Sequence, residues 1–410
     1  MANVFSDRMI VAIDVGTTKI CVLVAEKLGT DHMAIVGIGK APSAGLKKGV
    51  VVNIGQTVHS IKTAVKEAEL MSGVTIGSAY VGISGSHIHS INSPGAVPIK
   101  RGIVRVQDIS SALEAAQAVQ FPEGQHILHV LPQYFVIDGQ DRVNDPIGMH
   151  GVRLEVLTHI ITGSTASVAD LVSCCQEAGV QVRDIILEPL ASAHAVLSPD
   201  EQELGAGILD IGGGTSDFAV YQHGTIRHTM VLPIAGTQFT RDIAIGLRTT
   251  IEEAERIKRD YAAAHDSCID KNLIIDIAQI QGSDRQQVLH EHLVTIVNAR
   301  AKELLQFIKQ DVDKFYISEY MASGLVLTGG GSLLRGLDQL AQEVLDLPVR
   351  IGMPKITYDM PMSLKSPIYA TAYGLLVCAL NKGALTTHTT QGTFVQRVFD
   401  SMKSWVSDFF

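Results

Sequence analysis

The sequence predicts an α/β fold built by duplication: two large α/β domains face each other across a cleft, each half carries an inserted small domain, and the chain ends in an amphipathic helix. Three observations carry this expectation. One strand–turn–strand pattern occurs twice, about half a chain apart. Each half then continues through strand, helix and strand in the same order. A long additional segment interrupts each half.

The first copy of the pattern is MIVAIDVGTTK, Met9 to Lys19, and the second is GAGILDIGGGTSD, Gly205 to Asp217. Each reads as an apolar strand, an aspartate, a glycine turn bearing hydroxyls, and a second apolar strand, Ile20 to Ala25 or Phe218 to Tyr221. Another β run follows each, Met33 to Ile38 and Thr225 to Leu232. Then come an amphipathic helix and a strand, near 58–71 and 78–84 in the first half and near 293–312 and 325–328 in the second.

Both turns join strand to strand, unlike the strand-to-helix turns that place phosphate on a helix N-terminus. Their free N–H groups can form a nest for an anion. Gly16 in one turn, and Gly212, Gly213 and Gly214 in the other, allow a phosphate to touch backbone. Thr17, Thr18, Thr215 and Ser216 add hydroxyl donors, and Lys19 adds a point charge suited to a β- or γ-phosphate. Asp14 and Asp210 suit magnesium held through water. A tight hairpin uses Asp and Gly for turn chemistry alone. Two such turns in matching contexts favour a pair that clamps a triphosphate between domains. A third cluster, VLTGGGSLLRGL from Val326 to Leu337, offers Gly329, Gly330 and Gly331 as backbone against which adenosine could lie. Its alternative is a plain strand-to-helix turn with Ser332 as N-cap.

Composition narrows the classes. A chain of 410 residues with 46% hydrophobic content supports two or three cored units. Cys21, Cys174, Cys175, Cys268 and Cys378 form no CxxC pair and no His/Cys cluster, which argues against a disulfide framework or a zinc site and fits a reducing cytoplasm. The polar start MANVFSDR lacks the features of a signal peptide, and no run reaches the roughly 18 apolar residues of a spanning helix. A formal charge of -9 without a basic aromatic stripe argues against nucleic acid as a partner. The paired histidines His87 and His89, and His290 and His292, have no carboxylate ligand nearby in sequence and read as surface or satisfied core groups.

At the C-terminus, NKGALTTHTTQGT (381–393) reads as a flexible linker with little to bury. Beyond it, Phe394, Val395, Val398, Phe399, Met402, Trp405, Val406, Phe409 and Phe410 form a stripe of helical period opposite a polar face. Such a helix, 394–410, suits the surface of a bilayer, with Trp405 at headgroup level. Its charges cancel, so binding is expected to be mainly hydrophobic. Docking on the protein's own core is the alternative.

Five motifs in order, IDVGTTK, LEPLASAHAVL, LDIGGGTSD, VLTGGGSLLRGL and SPIYATAYGLL, resemble the FtsA family, bacterial actin homologues of cell division in the actin/sugar-kinase/heat-shock ATPase superfamily. The resemblance implies a duplicated actin-like ATPase fold with ATP and Mg2+ in the cleft and ATPase activity that is at most slow. It implies that Glu188 orients attacking water beside Asp210, with a helix-start role as the alternative. It also implies that Glu255 and Lys258 flank adenosine and that Gly236 belongs to the loop after the second hairpin unit, where Ala235 replaces a family glycine. The expected organisation is 1–84 with 160–198 and 360–380 as the first actin-like domain and 199–235 with 300–359 as the second. Between them lie an inserted α/β domain at 85–159 (strand 103–106, helix 109–119, strands 127–137 and 153–160) and a mostly helical domain at 236–299 (helices 252–264 and 285–297).

By the same resemblance the helical domain grips the C-terminal tail of FtsZ, the tubulin homologue, with Arg300 and Glu303 at the contact. The chain polymerises head to tail at the septum on the cytoplasmic face of the inner membrane, and later division proteins bind through 85–159. A sugar or acid kinase is the main rival; Asp138, Asp141 and Asp145 are its candidate bases, in a loop with a turn composition. A chaperone needs a further substrate domain, whereas pilus-assembly relatives share the fold and the insert.

Overall fold

The computed structural model describes residues 8–29, 32–279, 285–355 and 360–383. The expected membrane helix at 394–410 and the linker beyond Gly383 lie outside the described residues.

The first half opens with β1 (Met9–Val15), β2 (Lys19–Lys27) and β3 (Met33–Pro42), then a short pair, β4 (Leu46–Lys47) and β5 (Val50–Val51). Helix α1 (Ile54–Ser72) follows, started by the Asn53 side chain, which accepts from the N–H of Gln56, and stopped by Gly73 at φ 70°. Strand β6 (Ser78–Ile83) returns beside β1. The insert comprises β7 (His89–Pro98), α2 (Val106–Ala116), β8 (Gln125–Ile137), β9 (Arg142–Val143) and β10 (Arg153–Ser164). Next come α3 (Thr165–Glu177), β11 (Gln181–Leu187), α4 (Glu188–Val196) and α5 (Pro199–Leu204). The second half contains β12 (Ala206–Ile211), β13 (Ser216–Gln222), β14 (Thr225–Leu232), α6 (Gly236–Gly246), α7 (Ile251–Tyr261), β15 (Ile274–Ala278), β16 (Arg285–Leu289) and α8 (His290–Lys314). It closes with β17 (Leu325–Thr328), α9 (Leu337–Leu345), β18 (Val349–Ile351) and α10 (Ala370–Gly383).

The duplication is visible strand for strand. One sheet has the order β11-β6-β1-β2-β3, and the other, read from its far edge, has β18-β17-β12-β13-β14. In each, the central strand pairs antiparallel with the next strand in sequence and parallel with a later one. Continuous apolar runs such as ILDI and IVAI are buried along their length because both faces of the sheet are covered. Between the halves, α4 and α10 cross so closely that a Cβ on Gly374 would lie 1.8 Å from the carbonyl oxygen of Ala191. Small residues on α4 permit that approach, and every residue from Pro189 to Ala193 is buried.

Some expected elements are corrected. Residues 103–106 are not a strand: Ile103 makes an isolated bridge to His150, and α2 begins at Val106 because Asp108 caps the N–H of Arg105 at 3.0 Å. The sequence HSINSPGAVP (89–98), read as no element, forms a full edge strand along β10, where a proline is tolerated. The expected helix 285–297 starts as β16, paired with β15, so 236–299 holds a hairpin as well as helices. The helix expected at 293–312 is the middle of the longer α8. Asn381 to Gly383, assigned to the linker, continue α10. Ser332 does not cap a helix; it lies in a 3₁₀ turn, Gly330–Leu333, and donates to the carbonyl of Gly329.

The insert docks on the free edge of β14. Asn92 and Gln133 side-chain amides donate to the carbonyl of Arg227 at 3.4 and 3.2 Å, and Ser90 donates to that of Thr229. These side chains cover an edge that would otherwise present unpaired backbone groups.

Candidate functional site

The register of β1 with β2 ends at the Val15–Ile20 pair, and that of β12 with β13 at Ile211–Ser216, so both glycine turns project from corresponding sheet ends. Each turn is closed by one backbone bond, Gly16 N–H to the Lys19 carbonyl at 3.1 Å and Gly212 N–H to the Thr215 carbonyl at 2.9 Å. The turns meet across the cleft. A Cβ on Gly213 would lie 2.5 Å from the Thr18 hydroxyl, and one on Gly214 would lie 2.3 Å from the Thr17 hydroxyl. Only glycine allows this contact.

Beneath the turns lies a buried acidic floor. Asp14 and Asp210 lie near the ends of β1 and β12 and Asp217 sits on β13, all three buried, while Glu188, which starts α4, is half-buried beside them. Ser192 on α4 and Thr371 on α10 both donate to Asp210, at 2.5 and 3.0 Å, and Ser84 donates to Asp217 at 2.5 Å. Burial is the main force on all four, raising the Asp14 carboxyl to about 6 and that of Asp217 to about 7. Asp210 is raised too, with its two hydroxyl donors opposing the effect. Burial and then the charges of Asp14, Asp217 and Asp210 push Glu188 well above the carboxylate range.

The remaining candidates surround this floor. A Cβ on Gly329, at φ 78°, would lie 2.2 Å from Asp210 Oδ1, and one on Gly331 would strike Ile211. Gly330 faces Ile368. Gly236 N–H bonds the Gly212 carbonyl, and Lys258 Nζ reaches the Gly236 carbonyl at 3.1 Å and Glu255 at 2.7 Å, so these three residues sit against the second turn. Lys19 donates to the carbonyl of Ile368 at 2.9 Å and lies 4.6 Å from the centre of the Tyr369 ring. Arg300 and Glu303 stand apart on α8, where Arg300 is paired with Asp242 of α6 at 2.5 Å and also bonds Glu303.

Sequence reasoning missed Asp217, Ser192 and Thr371. Asp217 closes the second glycine motif, while Ser192 and Thr371 are hydroxyls inside otherwise apolar helical segments, a signal for a buried partner. Two of the three kinase candidates are committed elsewhere: Asp138 accepts from the N–H groups of Val152 and Arg153, and Asp145 from that of Ile147. His290 is a satisfied core group, with its ring nitrogens bonded to the carbonyl of Tyr261 and the N–H of Asp270. Among the described residues no group of three or more His, Cys, Asp or Glu is arranged to hold a metal ion. A cation at Asp14 and Asp210 therefore needs oxygen ligands from elsewhere, and phosphate oxygens and water are of that kind.

The comparisons with known proteins agree with this architecture. The model for "Cell division protein FtsA" matches residues 207–374, and that for the "SHS2 domain inserted in FTSA" matches 85–162. Cell division protein FtsA of Pseudomonas aeruginosa is 44% identical over 93% of this chain and 92% of its own length. The Bacillus subtilis protein is 38% identical over 90% and 83%, and that of Escherichia coli K12 is 33% identical over 97% and 96%. Among solved structures, a PilM-PilN type IV pilus biogenesis complex aligns with TM-score 0.65 at 18% identity, covering 90% of this chain and 98% of that one. MreB5 of Spiroplasma citri bound to ADP aligns at 0.56 and 15%, covering 93% and 100%. These neighbours show an actin-like fold, and the near full-length relatives show the family: this chain belongs to the FtsA family of cell division proteins.

Proposed function

We propose that the chain binds MgATP in the cleft, polymerises on the inner membrane, and ties FtsZ filaments to that membrane through their C-terminal tail. The observation that best supports the nucleotide reading is the meeting of two glycine turns over three buried aspartates and the half-buried Glu188. The turns supply N–H and hydroxyl donors for phosphate. Lys19 supplies a positive charge, and Asp14 and Asp210 are placed to hold Mg2+ through water. When bound, the metal would offset the negative charge that the phosphates and the acidic floor concentrate here. Gly236, Glu255, Lys258 and the Gly329–Gly331 turn flank the side of the second hairpin where the adenosine would lie.

Because Thr17 and Thr18 already touch Gly214 and Gly213, a phosphate chain entering between them acts as a wedge that changes the spacing of the halves. Hydrolysis is expected to be slow. Desolvation and the neighbouring acids raise the Glu188 carboxyl, which disfavours its ionised form as a base until a cation offsets the surrounding negative charge. Arg300 and Glu303 are the proposed contact for the FtsZ tail, 85–159 is the proposed seat of later division proteins, and 394–410 is the proposed membrane anchor.

ATP consumption with a panel of sugars and organic acids separates this reading from a kinase. The expected result is nucleotide binding with a turnover that no small molecule raises. A many-fold rise with one of them overturns the reading.

A further inference from the structure

Arg227 lies in the middle of β14 and is only 7% exposed, yet its Nε has no hydrogen-bond partner. The ring of Tyr134 on β8 lies close, with the guanidinium carbon 5.7 Å from the ring centre. Arg142, exposed on β9, places its own guanidinium 4.3 Å from the centre of the same ring. Neither arginine forms an ion pair among the described residues. Other arginines of this chain do: Arg300 with Asp242, Arg350 with Glu201 and Arg256 with Glu253.

One arginine on a tyrosine face is an ordinary cation–π contact. Two on one ring, one of them buried and neither neutralised, leave an excess of positive charge in a poorly hydrated place, which is costly without a counter-charge. The chain carries a formal charge of -9, and Asp141 stands beside Arg142 in sequence without pairing with it. Burial, and next the charge of Arg142, hold the Arg227 guanidinium below the usual arginine range.

The position is also rigidly built. The carbonyl of Arg227 is gripped by the amides of Asn92 and Gln133 from the insert, so the residue is fixed where insert and second half meet. Arg142 is exposed to solvent.

We propose that Arg142 and Arg227, both drawn to the Tyr134 ring, form a binding site for an oxyanion, carboxylate or phosphate, at the junction of the insert and the second half. Guanidinium forks match both anions, and a carboxylate delivered by an acidic segment of a partner protein would bridge the two domains. The site is separate from the cleft and does not rest on the nucleotide reading.

Full-length protein labelled with 3-fluorotyrosine tests it by fluorine NMR, the Tyr134 line being assigned by its loss in Tyr134→Phe. The probes are inorganic phosphate and a capped tetraglutamate peptide at constant ionic strength, with chloride as control. The expected result is a saturable shift of the Tyr134 line by at least one probe, with half-saturation at least tenfold weaker in Arg142→Ala. A response to phosphate alone assigns a free phosphate group, and a response to the peptide assigns a protein carboxylate. No saturable shift with either probe, or unchanged half-saturation in Arg142→Ala, overturns the proposal. Arg227→Lys keeps the charge without the fork; if its other fluorine lines are unmoved, retention of full affinity also overturns it.

Discussion

Asp217 shows what a buried acid does before any ligand arrives. Burial pushes its carboxyl up to about 7 from the ordinary 3.8, so the folded state favours the proton that an unfolded chain would release. For such a group stability is highest below about 4 and is lost as pH rises through about 7; Asp14, at about 6, acts in the same direction. Asp217→Asn keeps an acceptor for Ser84 without the charge. It is expected to raise nucleotide-free stability at pH 8 by on the order of 1–3 kcal/mol and to flatten the decline between pH 5 and 8, as read by thermal melts. Parallel melting profiles for variant and wild type would contradict the assignment. Asp210→Ala has the opposite use. It removes a proposed Mg2+ partner and strands the hydroxyls of Ser192 and Thr371, so MgATP affinity is expected to fall at least tenfold by calorimetry. Unchanged affinity would remove Asp210 from the site.

At the scale of elements, the strands around the two glycine turns were legible because strands buried on both faces read as unbroken apolar runs. The insert's edge strand was not. Its sequence, HSINSPGAVP, carries turn residues throughout, and only its pairing with β10 makes it a strand. The start of α2 was misread because Ile103 and Val106 look β-prone while the deciding signal is a single capping carboxylate, Asp108. The cleft was legible through its glycines and first aspartates. Its hydroxyl supports were not, since Ser192 and Thr371 acquire meaning only when α4 and α10 cross beside β12. On α8, Arg300→Glu is expected to weaken FtsZ-tail binding by a factor of ten or more without changing ATP affinity, measured by fluorescence anisotropy. The substitution also breaks the bond to Asp242, so Asp242→Asn is the control. Equal loss in both variants would assign the effect to the α6–α8 packing, and no loss in Arg300→Glu would remove Arg300 from the contact.

At the scale of the molecule, two related halves are joined by crossing helices and by an insert that seals the edge of the second sheet. A phosphate chain between the turns, as proposed, would press on both halves. A head-to-tail contact between such units is heterologous and gives an open filament. An amphipathic helix at 394–410 on each subunit would convert weak single-helix binding into firm attachment of the whole filament. The most direct measurement is vesicle flotation of FtsZ with this chain and MgATP, comparing wild type with a form lacking 394–410. FtsZ is expected to rise with the lipid only when the intact chain is present and to stay at the bottom with the truncated one. FtsZ that remains at the bottom while the intact chain floats, or that floats equally with the truncated chain, would contradict it.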